Sequence, residues 1–88
     1  MVYQVRTTLP PADVLDRAVR FFAERVPLQA AFPERRGAQH VVLRGQGGEE
    51  VAIAVRGTAE GTTVRGSTLF FDHALERFLT TLPEVVAP

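Results

Sequence analysis

Four arginines give this chain its clearest chemical signal, because each falls on the polar side of a different predicted strand: Arg6, Arg44, Arg56 and Arg65. Neighbouring strands lie only ~4.8 Å apart, so like charges on adjacent strands repel one another. A sheet face that carries all four arginines therefore needs water, carboxylates or a bound anion. The sequence predicts an arginine-rich face that is either solvated or covered by a partner.

The other side chains predicted on this face leave a shallow floor between the arginines: His40, Val42, Ala52, Ala54, Thr63 and Ser67. Glu50 falls on the same face of its strand as Arg56, and its negative charge offsets part of the positive charge of the arginines. Such a floor suits a homodimer packed sheet to sheet or an acidic protein partner, and a solvated face is the alternative. We predict no nucleic-acid binding, because the face lacks stacking aromatics and the formal net charge is zero.

The two histidines, His40 and His73, are the residues that could act as catalytic bases or as metal ligands. Ser67 lies in no nucleophile-elbow motif, and His73 falls on the polar side of a predicted helix, whereas a base must reach its nucleophile. The histidines show no metal-binding spacing, and the chain has no cysteine to supply a thiolate. We therefore predict no enzymatic activity, no metal site and no cofactor.

Three residues are weaker candidates for the lip of a pocket. Arg25 falls within the apolar arc of the first predicted helix, where it either snorkels at the helix end or pairs with a carboxylate at a cavity mouth. Phe21 and Phe70 project away from the main apolar sides of their elements. Both are candidates for a subunit contact or a pocket lip.

Length and composition favour one small domain over residues 1–88, with a tail that frays from about residue 84. Hydrophobic residues make up 45% of the chain and charged residues 23%, which is ordinary for a globular protein. No stretch resembles a signal peptide or an apolar run long enough to span a bilayer. The expectation is a cytoplasmic protein with no membrane partner.

Alternating apolar and polar residues predict four strands, and apolar residues at helical spacing predict two helices. The segments are a strand Val2–Leu9, a helix from Pro11 to about Val26, strands His40–Arg44, Glu50–Arg56 and Thr62–Leu69, and a helix that ends at Pro83. Pro27 is expected to break the first helix, leaving a short kinked turn over Leu28–Phe32 and then a loop. The prediction is a two-layer α+β fold of order β-α-β-β-β-α, with both helices on one sheet face.

This arrangement resembles a shortened helix-grip domain of the START or Bet v 1 superfamily, also called SRPBCC. The likeness rests on the entry segment Leu9–Leu15, the late strand segment Gly61–Ser67 and the amphipathic terminal helix. It implies a four-stranded antiparallel sheet of strand order 2-3-4-1, in which His40–Arg44 is an exposed edge strand. It also implies a hydrophobic ligand held between the sheet and the helices.

Two functions follow from these patterns. The first is a non-enzymatic binding or assembly domain that forms a homodimer through the arginine-rich sheet face or an edge strand. The alternative is a carrier of a small hydrophobic ligand, as the helix-grip resemblance implies. A tightly filled space between helices and sheet argues against the carrier, and monomeric behaviour argues against the dimer.

Overall fold

The computed structural model describes residues 1–24 and 30–85 and shows an α+β fold with two helices and an antiparallel sheet. The elements are β1 (Val2–Thr7), α1 (Pro11–Glu24), β2 (Ala31–Arg36), β3 (His40–Gly45), β4 (Glu50–Thr58), β5 (Gly61–Thr68) and α2 (Asp72–Thr80). The predicted fold class is confirmed. The predicted end of the first helix near Val26, its kink at Pro27 and the candidate Arg25 lie outside the described residues.

The sheet has five strands in the order β1-β5-β4-β3-β2, and every neighbouring pair is antiparallel. The predicted four-stranded sheet of order 2-3-4-1 is therefore wrong, because β2 adds a strand beside β3. As a consequence, His40–Gly45 is not the sheet edge that the resemblance implied. The two edges are β1 and β2.

Strand β2 was predicted as a helical turn and a loop because it contains Pro33 and three consecutive charged residues. Proline cannot donate a ladder hydrogen bond, so a strand tolerates it at a sheet edge or a bulge. Pro33 lies at such a place, since the pairing of β2 with β3 shifts register between Pro33 and Arg35. The following turn closes through the Gly37 N–H, which donates to the His40 carbonyl over 2.9 Å.

Helix α1 begins where the sequence predicts, directly after Pro10. The N–H groups of Asp13 and Val14 donate to the Pro10 carbonyl over 3.1 and 3.2 Å. Its buried side chains recur at helical spacing: Val14, Leu15, Ala18, Phe21 and Phe22. Neither α1 nor α2 is long and apolar enough to cross a membrane, and no other helix occurs in the described residues.

One hydrophobic core joins both helices to the same face of the sheet. Phe21, Phe22, Phe71 and Phe78 form its aromatic centre, with ring centroids 5.4–6.1 Å apart. Phe21 is thus part of this core, and the Arg77 guanidinium lies over its ring in a cation–π contact, with Cζ 5.7 Å from the centroid. Phe21 does not project from the core as predicted, because α2 packs against the side of α1 on which Phe21 lies. It also borders a shallow groove with Arg17 and Glu24, so its role as a pocket lip stays a prediction.

Helix α2 packs closely over β5 at Gly66. A Cβ atom at this position would lie 2.6 Å from Leu75 Cδ1, a separation that side chains do not adopt. The missing side chain therefore lets Leu75 sit directly on the strand. This contact places α2 beside β1 and β5 and leaves the opposite face of the sheet without a helix.

Candidate functional site

The open face is the side of the sheet that neither helix covers. Strand register places sixteen side chains on it: Val2, Gln4, Arg6, Phe32, Arg35, His40, Val42, Arg44, Glu50, Ala52, Ala54, Arg56, Thr58, Thr63, Arg65 and Ser67. They form rows across the strands because each paired residue lies directly opposite its partner. The four arginines singled out from the sequence all belong to this face.

Arg44 differs from the other three arginines because its guanidinium is already surrounded by acceptors. It forms a two-point ion pair with Glu34, in which Nη2 donates to Oε1 over 3.0 Å. It also donates to Glu50 Oε2 over 3.2 Å and to the Gly48 carbonyl over 2.9 Å. Hydrogen bonding with Arg44 lowers the pKa of Glu34. Arg44 therefore stabilises the β2–β3–β4 corner rather than offering a charge to a partner.

Arg6 pairs with Glu60 across the loop between β4 and β5, with Nη1 and Oε2 3.0 Å apart. Both side chains are more than half exposed. An exposed pair of this kind contributes little to stability, since water solvates the charges well when they separate. Arg6 therefore remains exchangeable between Glu60 and another acidic group.

Arg56 and Arg65 have no carboxylate within ion-pair distance among the described residues. They flank Thr63, which lies opposite Arg56 and two residues before Arg65 on β5. A shallow groove of about 260 Å³ runs between them, with Gln4 and Ala54 on its floor. This part of the open face carries two positive charges that no described carboxylate neutralises.

Strand β4 gives the open face a symmetric charge pattern. Four of its outward residues, before Thr58 at the strand end, are in order Glu50, Ala52, Ala54 and Arg56. This series of four has a negative residue at one end, two small residues in the middle and a positive residue at the other end. When a second copy of the strand runs in the opposite direction, each charged residue therefore faces one of opposite sign. Next to them on β3, His40 lies opposite Ala54 and Val42 opposite Ala52.

The structure adds open-face residues that the sequence prediction missed. Arg35 lies opposite Val42, and Phe32 lies opposite Arg44 and is half exposed. Both belong to β2, so they were missed together with that strand. No local pattern marks this strand, because Pro33 and the charged residues after it are typical of a loop.

The remaining candidate residues lie apart from the arginines. Phe70 is 71% exposed and, with Leu69, borders an open groove of about 490 Å³ that Met1, Val2 and Glu50 also line. Its role as a pocket lip stays a prediction.

His73 is exposed on α2, whereas His40 lies on the open face, so the two histidines occupy opposite layers. Within residues 1–24 and 30–85, no three His, Cys, Asp or Glu side chains cluster as a metal site requires.

The space between the helices and the sheet is where the resemblance places a hydrophobic ligand. In the described residues the rings of Phe22 and Phe78 fill it, and both are fully buried. A larger opening, the β1–α2 groove, lies beside this core and is lined by Tyr3, Val5 and Leu79 among others. The carrier function stays a prediction without a specific observation in its favour.

Tyr3 lines the β1–α2 groove, and its hydroxyl lies beside the carboxylates of Asp72 and Glu76. Its hydroxyl donates to Asp72 Oδ1 over 3.3 Å. Hydrogen bonding with Glu76, partial burial and the negative charges of Glu76 and Asp72 raise the pKa of Tyr3 to about 12. This rim of the groove is therefore acidic.

Comparison of the chain with models of known families, with curated proteins and with solved structures gives no match. The helix-grip resemblance therefore stays a prediction. Function must be inferred from the open face and the sheet edges themselves.

Proposed function

We propose that this protein is a non-enzymatic assembly domain that forms a homodimer through its open face. The observation that carries the proposal is the self-complementary order of Glu50, Ala52, Ala54 and Arg56 along β4. A two-fold interface must present the same surface on both subunits and satisfy itself. A strand with opposite charges at equal distances from a small centre meets that requirement.

The direction of the two-fold axis follows from these charges. One possible two-fold axis lies in the plane between the two stacked sheets, runs perpendicular to the strands and passes midway between Ala52 and Ala54. It places each strand antiparallel over the same strand of the partner subunit. It places Glu50 over the partner's Arg56, and Arg65 over the partner's Ser67. An axis along β4 would instead set Arg56 over the partner's Arg56, and like charges in contact destabilise an interface. The axis across the strands is therefore the favoured one.

The floor of the open face allows the two sheets to approach. Ala52 is half-buried and Ala54 exposed, and Val42 beside them is only 7% exposed. Five strands at ~4.8 Å spacing and four rows of side chains ~6.8 Å apart give a flat footprint of roughly 650 Å². A stable interface buries ~800 Å² on each partner. The open face is thus close to the required size, which predicts a dimer that dissociates on dilution.

Two other occupants of the open face are less well supported. A solvated face does not need the small residues at its centre. An acidic protein partner would satisfy Arg56 and Arg65 but would also face the carboxylates of Glu50, at the other end of β4, and of Glu34 on β2. The mixed charge of the face favours a second copy of the chain.

A matched pair of alanine-to-arginine substitutions tests this proposal. Ala54→Arg places a long charged side chain at the proposed contact, and Ala12→Arg places the same side chain at an exposed position on α1. We expect Ala54→Arg to weaken dimerisation by about 30-fold or more, since a central contact residue would no longer fit. Ala12→Arg should leave the dissociation constant within about twofold of the wild type, as expected outside an interface.

Sedimentation velocity over a concentration series measures both constants, and circular dichroism verifies that each variant is folded. Equal dissociation constants for the two variants would contradict assembly through the open face. Weakening by Ala12→Arg alone would place the contact on the helical layer instead.

A further inference from the structure

The two edges of the sheet differ in their protection against pairing with another strand. Strand β2 has the usual protective features of an edge, namely a proline, a bulge and charged side chains. Strand β1 has the sequence Val-Tyr-Gln-Val-Arg-Thr, without proline or bulge. Its edge is therefore the one that can accept an added strand.

The register of β1 shows which backbone groups face that edge. The Thr68 N–H donates to the Met1 carbonyl over 3.0 Å, so Met1 is a hydrogen-bonded partner of β5. In an antiparallel pair every second residue directs its N–H and C=O groups toward the neighbouring strand, so Tyr3, Val5 and Thr7 also hydrogen-bond with β5. The N–H and C=O groups of Val2, Gln4 and Arg6 then point outward. No strand among the described residues pairs with them.

One end of this edge already pairs with an extended segment. The Thr8 N–H donates to the Pro83 carbonyl over 3.2 Å, and Thr7 and Glu84 form an antiparallel bridge. The same edge thus already forms main-chain hydrogen bonds with an extended segment in this fold. Beyond the bridge and Val85, no described residue pairs with the outer edge of the stretch Val2–Val5.

The β1–α2 groove runs directly beside this stretch. It measures about 590 Å³, and its apolar lining comes from Tyr3, Val5, Leu79, Leu82 and Val85. When a peptide adds to a sheet edge, main-chain hydrogen bonds supply affinity and pockets for alternate side chains supply specificity. The groove lies on the side toward which every second side chain of such a peptide would point.

The rim of the groove is acidic. Glu76 and Glu84 line it, and neither pairs with a cation among the described residues. Arg6 also borders the groove but pairs with Glu60. Positive side chains on an incoming peptide would complement Glu76 and Glu84, and carboxylates would be repelled.

We propose that the free edge of β1 binds an extended peptide as an additional antiparallel strand, with apolar side chains in the β1–α2 groove and lysine or arginine beside Glu76 and Glu84. This site lies at the side of the sheet, so it remains accessible when the open face is covered by a second subunit. Its existence does not depend on the proposed dimer.

A synthetic peptide of sequence KTVTVTK, acetylated and amidated, provides the probe. In the extended peptide, the valine and lysine side chains lie on one face and the threonine side chains on the other. When the valines occupy the groove, the threonine N–H groups point toward β1 and the valine N–H groups point away from it. In ¹H–¹⁵N spectra we expect concentration-dependent shifts of the Gln4, Arg6 and Leu79 amides, with the Ala52 and Ala54 amides unchanged. N-methylation of two threonines should weaken binding about tenfold through lost hydrogen bonds, and N-methylation of the two valines less than threefold.

Substitutions at Gln4 test the same edge from the protein side. Gln4→Pro removes an N–H that faces outward, so the pairing of β1 with β5 is retained. We expect it to weaken peptide binding about tenfold, whereas Gln4→Ala, which keeps the N–H, should change it less than twofold. The peptide ETVTVTE should bind the wild-type protein at least about threefold more weakly than KTVTVTK.

The wild-type protein with the methylated peptides gives a result that does not depend on whether Gln4→Pro folds. The proposal is overturned if KTVTVTK shifts no β1 amide at millimolar concentration, or if both methylated peptides bind equally well. Without peptide, shifts of the β1 and Leu79 amides that depend on protein concentration while the Ala52 and Ala54 amides stay unchanged would make a second copy of the chain the occupant of this edge, and would likewise overturn it.

Discussion

Phe78→Ala is expected to lower the free energy of unfolding by ~3–5 kcal/mol, the usual cost of removing a buried phenylalanine ring. Phe78 is fully buried, and its ring centroid lies 5.5 Å from that of Phe21 and 6.1 Å from that of Phe22. It therefore joins both helices to each other above the sheet. Its loss leaves a cavity at the centre of the core.

The size of this effect matters because the domain is small. At ~0.05–0.15 kcal/mol per residue, a chain of this length has a total stability of roughly 4–13 kcal/mol. Phe78→Ala therefore removes a large share and is expected to leave the variant partly unfolded at 37 °C. Urea denaturation followed by circular dichroism measures the change, at one protein concentration because dimerisation adds stability.

Phe70→Ala is the matched control, since it deletes the same ring from a position that is 71% exposed. We expect a change within ~0.5 kcal/mol, as is usual for surface substitutions. Similar losses for the two variants would mean that the aromatic cluster is not the centre of the core.

The second large effect is expected from exchanging the charges of β4. Arg56→Glu brings Glu50 of one subunit over the partner's new carboxylate, and the two-fold axis makes this happen twice per dimer. We expect dimerisation to weaken about 100-fold, because two attractive contacts become repulsive. Glu50→Arg should weaken it to a similar extent by setting two guanidinium groups together.

The double variant Glu50→Arg/Arg56→Glu restores opposite charges across the axis with their signs exchanged. Its dissociation constant should return to within about tenfold of the wild type, a coupling that independent sites do not show. Restoration is expected to be incomplete, because Glu50 also accepts a hydrogen bond from Arg44 in its own subunit.

Arg20→Glu on α1 is the control for charge reversal away from the open face. A double variant that dissociates as readily as the single ones would reject the axis between Ala52 and Ala54. The dissociation constants of the wild type and the four variants can be compared by analytical ultracentrifugation at a fixed salt concentration, since screening weakens exposed charge pairs.

Some of the fold could be predicted because its signals are local. The helical spacing of Val14, Leu15 and Ala18 and the alternation of Val51, Ile53 and Val55 each identify an element and its buried side. The same parity correctly placed Arg56 and Arg65 on the face opposite the helices. These inferences need only the period of a single segment.

The rest depends on contacts between segments that are distant in sequence. Pro33 and the charges after it are typical of a loop, and only pairing with β3 makes this stretch an edge strand. Arg44 could not be distinguished from Arg56 without knowing that β2 brings Glu34 beside it. The burial of Phe21 likewise depends on where α2 crosses α1, which no local pattern encodes.

The mass of the wild-type protein in solution tests the central claim most directly. Light scattering coupled to size-exclusion chromatography, over a range of loading concentrations, should give twice the 9.7 kDa of one chain at high concentration and fall toward 9.7 kDa on dilution. A constant 9.7 kDa up to the highest concentration would contradict assembly through the open face.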